Sequence, residues 1–361
     1  MGSTITDIID CEAHHCDITF IGFHNDADGW ASAAQVIRFK KLYDNIKYST
    51  DIKLFPLQHG SRNMRYEDKL MEQIRDYQDT TSDSSYRIIL LDYCLQMNNM
   101  LELFSLADAG VGFTWIDHHE IDQAILADLY ERRFMLDTSV PEHHSVRLDK
   151  SKAACIQTAE YLQLCAELHG VDMRTITVEN PVLEAIAKRD TGDYEFCDLT
   201  DAITSALFVN FHGYSFDHVS AQSLSSYADL LESNGFYLEQ FGAPICAERR
   251  QRFNRDINQS FSLTFSAEDG SWFKCAAVFS TGDLITPLAT RLAQDTGCAA
   301  CAITVTVNGL ILGFRSTPDC QLTALECAKM LGGGGHVHAA AASISFNNLR
   351  QVDKKLYRIS L

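Results

Sequence analysis

Ile18-Thr19-Phe20-Ile21-Gly22-Phe23, together with His24-Asn25-Asp26-Ala27-Asp28-Gly29-Trp30 after it, decides the fold. The first six residues are an apolar run of strand length. Trp30–Tyr43 then reads as a helix, with Ala33, Ala34, Val36, Ile37 and Leu42 giving one apolar face. Between the two lies a short acidic loop with a glycine. The same order recurs along the first half of the chain. Ile52–Leu57 is a second strand candidate. Arg87–Leu91 (RIILL) is nearly continuous in apolar residues, the mark of a strand buried on both faces. Val111–Ile116 is another strand, and Lys152–Leu168 and Val182–Lys188 read as helices. Strands alternating with helices predict a mostly parallel sheet with right-handed crossovers.

The second half reads differently. Residues from about 205 to 260 look helical, with periodic Leu and Tyr. Trp272–Phe279, Ala300–Val307 and Leu310–Arg315 look like strands, and Asn308-Gly309 between the last two marks a hairpin. Ser316–Leu331 contains a helix that ends at Gly332. The expected class is α/β, in two domains. An N-terminal, mostly parallel sheet with flanking helices occupies 1–205, and a helical connector 206–260. A smaller mixed α/β domain occupies 261–361, with the active site in the cleft.

Of the 361 residues, 46% are apolar and 22% charged, an ordinary globular profile. That excludes disorder, collagen-like repeats and a disulfide-stapled miniprotein as whole-chain readings. No apolar run approaches the ~18–20 residues needed to span a bilayer. The start, MGSTITDIIDCEAHH, has neither the basic nor the apolar region of a secretory signal. The expectation is therefore a cytoplasmic protein with no membrane partner. Met1, Gly2 and Thr6 fit the loose myristoylation pattern, but Asp7, Asp10 and Glu12 supply the wrong charge for a membrane, so a chance match is expected.

Acidic residues outnumber basic ones by 48 to 30, for a net charge of -18. A protein that tracks long nucleic acid usually needs a broad basic surface. A phosphate-bearing substrate must here be small, or held by a local cationic site such as metal ions. The twelve cysteines show no disulfide framework, and Cys94, Cys155, Cys165 and Cys275 sit in apolar stretches. They read as reduced and buried. Cys298 and Cys301 form a CxxC that runs into an apparent strand and reads as two core thiols, because no second pair completes four zinc ligands. Cys11, His14, His15 and Cys16 read as part of a frayed terminus.

Four acidic or histidine-bearing segments fall at the ends of expected elements. His24-Asn25-Asp26-Ala27-Asp28-Gly29 follows the first strand, Asp92 follows RIILL, and Asp117-His118-His119 follows GFTWI. Asp190-Thr191-Gly192-Asp193 follows the helix PVLEAIAKR. In open α/β sheets, ligands bind outside the carboxyl ends of the strands, so these loops can converge. Carboxylates with a few imidazoles and no thiolate suit Mn(II) or Mg(II) better than structural zinc. Asp26 and Asp28 can hold two separate ions if both reach one cleft. A helix N-cap or an Asx-turn is the commoner explanation of a lone Asp-x-Asp-Gly. The set of four segments favours the metal. Farther on, Gly332-Gly333-Gly334-Gly335-His336 exposes a run of backbone N–H groups. It reads as close backbone packing or an anion-binding nest that leads into a helix N-terminus.

These motifs resemble the DHH phosphoesterase superfamily, over most of the chain from about Ile18 to Phe346. His24–Gly29 is similar to its first motif, Asp92 to its second, Asp117-His118-His119 to the motif that names it, and Asp190-Thr191-Gly192 to the fourth. Gly332–His336, with Phe314-Arg315-Ser316 before it, resembles the DHH-associated C-terminal domain and argues against the family II inorganic pyrophosphatases. The resemblance implies two Mn(II) ions, with Mg(II) or Co(II) as substitutes. His24, Asp26 and Asp92 would hold one, and Asp28, Asp92, His118 and Asp190 the other, Asp92 bridging. Asp117 would orient a histidine, and His119 would face the phosphate. Arg315, Gly333, Gly334, Gly335 and His336 would grip the nucleotide. The implied activity is hydrolysis of short oligonucleotides or dinucleotides by water activated between two metals. Alternatives are a cyclic-dinucleotide or 3′-phosphonucleotide phosphoesterase and, less favoured, a catalytically inactive scaffold. The expected partners are the short substrate and, as an open option, a second copy in a homodimer. Processive nucleases of the superfamily carry further nucleic-acid-binding domains, for which 361 residues are expected to leave no room.

Overall fold

Strands and helices alternate through the first half of the chain, as the apolar pattern requires. The computed structural model describes residues 18–44, 51–58, 64–80, 85–132, 144–170, 179–191, 193, 195–233, 235–266, 272–346, 349–353 and 356–360. The acylation pattern at Met1–Thr6, the Cys11–Cys16 cluster and Gly192 lie outside them. The chain divides into two compact units, Met1–Ile245 and Cys246–Leu361.

In the first unit, β1 (Ile18–His24) leads into α1 (Ala27–Asp44), then β2 (Asp51–Leu57) and α2 (Met64–Thr80). β3 (Tyr86–Leu91), α3 (Met97–Asp108), β4 (Gly112–Asp117), α4 (Gln123–Glu131) and β5 (His144–Leu148) follow. The sheet order is β2-β1-β3-β4-β5 and every pairing is parallel. The chain leaves β1 toward β2 and returns on the other side at β3. The order therefore reverses between β1 and β3, which is where a sheet of this kind opens a crevice for ligand.

Period-two alternation divides the strand side chains between two cores. Ile21, Phe23, Ile89 and Leu91 face one core with Trp30, Ala34 and Ile37 of α1. Phe20, Ile88 and Leu90 face the other with Leu70 and Ile74 of α2 and Leu103 and Phe104 of α3. Each buried large aliphatic or aromatic side chain contributes about 1.5–3 kcal/mol, so both faces hold the sheet rigid. The first core also takes α5 (Ala154–His169), α6 (Pro181–Thr191), α7 (Leu199–Asn210) and α8 (Ala221–Leu231), through Cys165, Ile186, Ile203, Leu207 and Tyr227. α9 (Phe236–Ile257) carries Leu238 into the same core and runs on past the division at Ile245. Among the described residues no helix is long and apolar enough to cross a membrane.

The second unit holds β6 (Phe261–Ser266), β7 (Trp272–Phe279), α10 (Ile285–Thr296), β8 (Ala300–Thr306), β9 (Gly309–Arg315) and α11 (Ala324–Lys329). β10 (Gly334–His336), β11 (Ala339–Ser345), β12 (Leu349–Asp353) and β13 (Leu356–Ser360) complete it. The sheet order is β10-β11-β9-β8-β7-β6-β13-β12, with β7/β8 and β6/β13 parallel and the other pairs antiparallel. β8 and β9 form the hairpin expected at Asn308-Gly309.

Two expectations are corrected here. The glycine run does not lead into a helix N-terminus. Gly334–His336 is a short strand, paired with Ala339–Ala341. A Cβ on Gly333 would lie 2.1 Å from the Ala341 carbonyl oxygen, and one on Gly335, at φ +137°, 2.7 Å from that of Ala339. Close backbone approach, the other reading of this run, demands glycine at these two positions, whereas a Cβ on Gly334 would meet nothing within 4 Å. Nor are Cys298 and Cys301 both core thiols: Cys301 is buried, but Cys298 is exposed just ahead of β8.

Candidate metal centre

The end of β1 is built by contacts that permit no other geometry. A Cβ on Gly29 would sit 2.0 Å from the His24 carbonyl oxygen, so only glycine lets the first turn of α1 close on the strand. Asp26 caps that turn, since its Oδ1 accepts from Gly29 N at 3.0 Å. Asp28 is 1% exposed, and its two oxygens accept from Ala154 N and Cys155 N, at 2.8 and 2.7 Å. It therefore serves as the cap for α5, whose own N-cap, Ala153, has no side chain to offer. The capping reading and the ligand reading of Asp-x-Asp-Gly are both compatible with this geometry, because each carboxylate has lone pairs beyond those the caps use.

β3 delivers Asp92 next to this loop. It is fully buried, with φ +57°, a left-handed conformation that is uncommon for a residue with a side chain. Its backbone N–H donates to Ile116 O at 2.8 Å, which holds it beside the end of β4. Neither Asp92 oxygen has a hydrogen bond of good geometry among the described residues. Instead Oδ2 lies 3.6 Å from His24 Nδ1 and Oδ1 lies 3.3 Å from His118 Nε2. Asp92 thus faces a histidine on either side.

β4 delivers the histidine pair. Asp117 Oδ1 accepts from the backbone of His118 at 2.7 Å and of His119 at 3.0 Å, and lies 2.8 Å from His119 Nδ1. One buried carboxylate therefore fixes both the turn and the His119 ring. Asp190, in the last turn of α6, comes within 3.0 Å of His118 Nε2, and Asp28 within 3.7 Å. His24 Nδ1 lies 2.8 Å from Asp26 Oδ2.

Three overlapping groups of possible ligand atoms result, each mutually within 4.8 Å: His24, Asp26 and Asp92; Asp28, His118 and Asp190; and Asp92, His118 and His119. The donors are carboxylate oxygens and imidazole nitrogens, with no thiolate. Buried carboxylate oxygens without well-formed hydrogen bonds among the described residues, between two such groups, fit divalent cations. Arg315, Gly333, Gly334, Gly335 and His336 lie in the second unit. Arg315 is half-buried and donates to Phe314 O at 2.8 Å and to Thr286 Oγ1 at 2.7 Å, while His336 is exposed.

The electrostatics show strain among like charges. Burial, with Asp92, Asp190 and Asp26 nearby, pushes the Asp28 carboxyl well above its usual range. Burial and Asp26 likewise raise Asp92, although His118 and His24 oppose this. Burial by itself would lower His24 and His118. Asp26 and Asp92 override it for the first, and Asp190 and Asp92 for the second, lifting both to about 11. Burial opposes the ionisation of Asp26, but His24 and the Gly29 N–H outweigh it and bring Asp26 down to about 2.

Two features of the site gave no signal in the sequence. Asn25 donates through Nδ2 to Tyr214 O at 2.5 Å and accepts from Trp30 Nε1 at 2.9 Å. Arg189, next to Asp190, pairs with the fully buried Asp201 and donates to Thr204 Oγ1 at 3.3 Å.

The chain matches no protein-family model and no curated protein. Among solved structures it is similar to RecJ in complex with Mn2+ from Thermus thermophilus, at 13% identity over 91% of this chain and 49% of that one, TM-score 0.44. It is similar to the DHH domain of a member of the S1p family of ribosomal proteins, at 13% identity over 92% of this chain and 83% of that one, TM-score 0.46. An exopolyphosphatase-related protein from Bacteroides fragilis matches at 12% identity over 95% of this chain and 93% of that one, TM-score 0.42.

Proposed function

We propose that this protein is a metal-dependent phosphoesterase of the DHH type that uses two Mn(II) ions and acts on dinucleotides or short oligonucleotides. The observation that carries the reading is the placement of Asp92, buried, with neither oxygen in a well-formed hydrogen bond among the described residues, between two ligand groups at the reversal point of the sheet. His24, Asp26 and Asp92 would hold one ion, and Asp28, Asp92, His118 and Asp190 the other. Such ions, when bound, supply Lewis acidity: they polarise a phosphoryl oxygen and bring the pKa of water toward 7.

The remaining work falls to the chain itself. Asp117 holds His119 through Nδ1 and raises its pKa against the effect of burial. Held in this orientation, His119 suits donation toward charge that builds on the phosphoryl oxygens. The α5 N–H groups hold the Asp28 carboxylate in one orientation. Net charge of -18 disfavours long polyanions, which supports a short substrate over a polymer. The test is hydrolysis of bis-p-nitrophenyl phosphate and of a dinucleotide panel, with Mn(II) and with chelator. Manganese-dependent turnover is expected. Turnover that survives complete chelation would remove the reading.

A further inference from the structure

A pocket of about 750 Å3 opens beside Asp26, Asp28 and Asp190, wholly within the first unit. Its lining is also aromatic. Tyr66 of α2 and Phe216, in a single helical turn at Phe216–His218, stack with ring centroids 4.2 Å apart and planes 12° from parallel. Phe208 of α7 adds a third ring to the lining and is 51% exposed. Gln58 and Ser215 add polar groups to the lining, and Arg189 and Asp217 add charged ones.

The segment that carries Phe216 is held under strain. His212, Gly213 and Tyr214 are consecutive residues with φ of +51°, +67° and +57°. Two of them bear side chains and pay for that conformation, which persists only where the surroundings impose it. Here Tyr214 is buried against Trp30 and Tyr227, and its carbonyl accepts from Asn25. Asn25 lies between two candidate ligands, His24 and Asp26. One residue thus ties the metal loop to the segment that leads to Phe216.

A cavity lined both by carboxylates for cations and by a stacked aromatic pair matches a phosphoester with a flat, heteroaromatic substituent. Inorganic pyrophosphate or polyphosphate has nothing to place against the rings. A nucleobase has a π-face for them and edge groups for Gln58 and Ser215. We infer that this pocket receives the nucleobase next to the scissile phosphate, with the Tyr66–Phe216 stack as its platform. The inference rests on the phosphoesterase reading and adds a specificity element to it: Tyr66 and Phe216 select nucleotides over other phosphoesters.

The experiment uses the full chain with Mn(II), as wild type, Phe216→Leu and Phe216→Trp. It measures kcat/KM on a dinucleotide and on its two singly abasic analogues, and titrates adenosine 5′-monophosphate and ribose 5-phosphate for affinity. Phe216→Leu should lower kcat/KM on the dinucleotide about 5- to 100-fold, the worth of one stacked base. On one of the two abasic analogues its effect should vanish, and Phe216→Trp should retain activity. Manganese affinity should be the same in all three proteins. If the wild type is active but Phe216→Leu acts equally on all substrates, the pocket assignment falls and the phosphoesterase reading stands. If the wild type hydrolyses none of them, the phosphoesterase reading falls. The titration then decides the pocket, and equal affinity for the monophosphate and ribose 5-phosphate overturns it.

Discussion

Asp92 concentrates the conflict between stability and function in one residue. It is fully buried, left-handed in φ, and raised in pKa by burial and by Asp26. A carboxyl whose folded pKa is raised makes the folded state less stable once it ionises. Asp92→Asn removes that charge but keeps the shape, and asparagine tolerates positive φ. Hydrolysis should fall by at least about 10²–10³-fold, the scale of losing one preorganised charge. The chelated protein should nevertheless melt at the same or a higher temperature, by on the order of 1 kcal/mol or roughly 2–4 °C. A thermal scan in chelator beside a rate measurement checks both, and a variant that is less stable yet active would contradict the argument. His24 and His118 give the pH dependence. Their folded pKa, about 11, lies above the unfolded value of about 6.5. Their contribution to the metal-free fold is fully present below pH 6.5 and is lost as pH rises through about 11. Metal must displace those protons, so manganese affinity should rise with pH and loading should release protons near neutrality. Calorimetry in buffers of different ionisation enthalpy measures that release, and no proton release would speak against these histidines as ligands.

At the scale of elements, the site depends on how closely α1 seats on β1. Gly29 is the contact point, with the His24 carbonyl where a Cβ would go. Gly29→Ala should cost about 1–3 kcal/mol or more, since backbone and not a flexible side chain must give way. It should also reduce manganese affinity, because it displaces His24 and the turn that carries Asp26 and Asp28. Chemical denaturation with a metal titration tests this, and an unchanged affinity would mean that the ligands do not need that seat. The glycines of the second unit act in another way. Gly333 and Gly335 bring β10 against β11, so their role in the structure is strand pairing.

For the whole molecule, the proposed substrate range turns on charge. The chain carries -18, and each phosphate outside the site meets net repulsion. Catalytic efficiency should be highest on dinucleotides or very short oligomers and should fall with length. Binding should weaken only gently with salt, because few phosphates are neutralised by Lys or Arg. The comparison is kcat/KM for a dinucleotide and a long oligomer at two salt concentrations. A preference for the long oligomer with a steep salt slope would indicate a polymer-tracking enzyme instead.

The apolar runs of β1, β3 and β4, the helix after β1 and the polar segments at their ends are all legible locally. Neighbouring residues set strand and helix preference, so Ile18–His24, Ala27–Asp44 and Tyr86–Leu91 can be read within one window. The eight candidate residues of the metal centre are legible for the same reason, since each sits where an apolar pattern stops. The edge strand His144–Leu148 is not, because His, Ser and Arg make up three of its five residues and its place depends on pairing with β4. The strand at Gly334–His336 is hidden too, since glycine carries no β signal and only Ala339–Ala341 gives it a partner. Asp28 as the cap of a helix 126 residues away, and Tyr66 stacked on Phe216, also exist only once the chain has closed. Sequence alone determined the strongly patterned elements, such as Ile18–His24 and Tyr86–Leu91, and the residue types that end them, because those preferences act between neighbours. Tertiary structure alone decided which of those ends meet, because strand pairing and side-chain packing join residues that no local window contains.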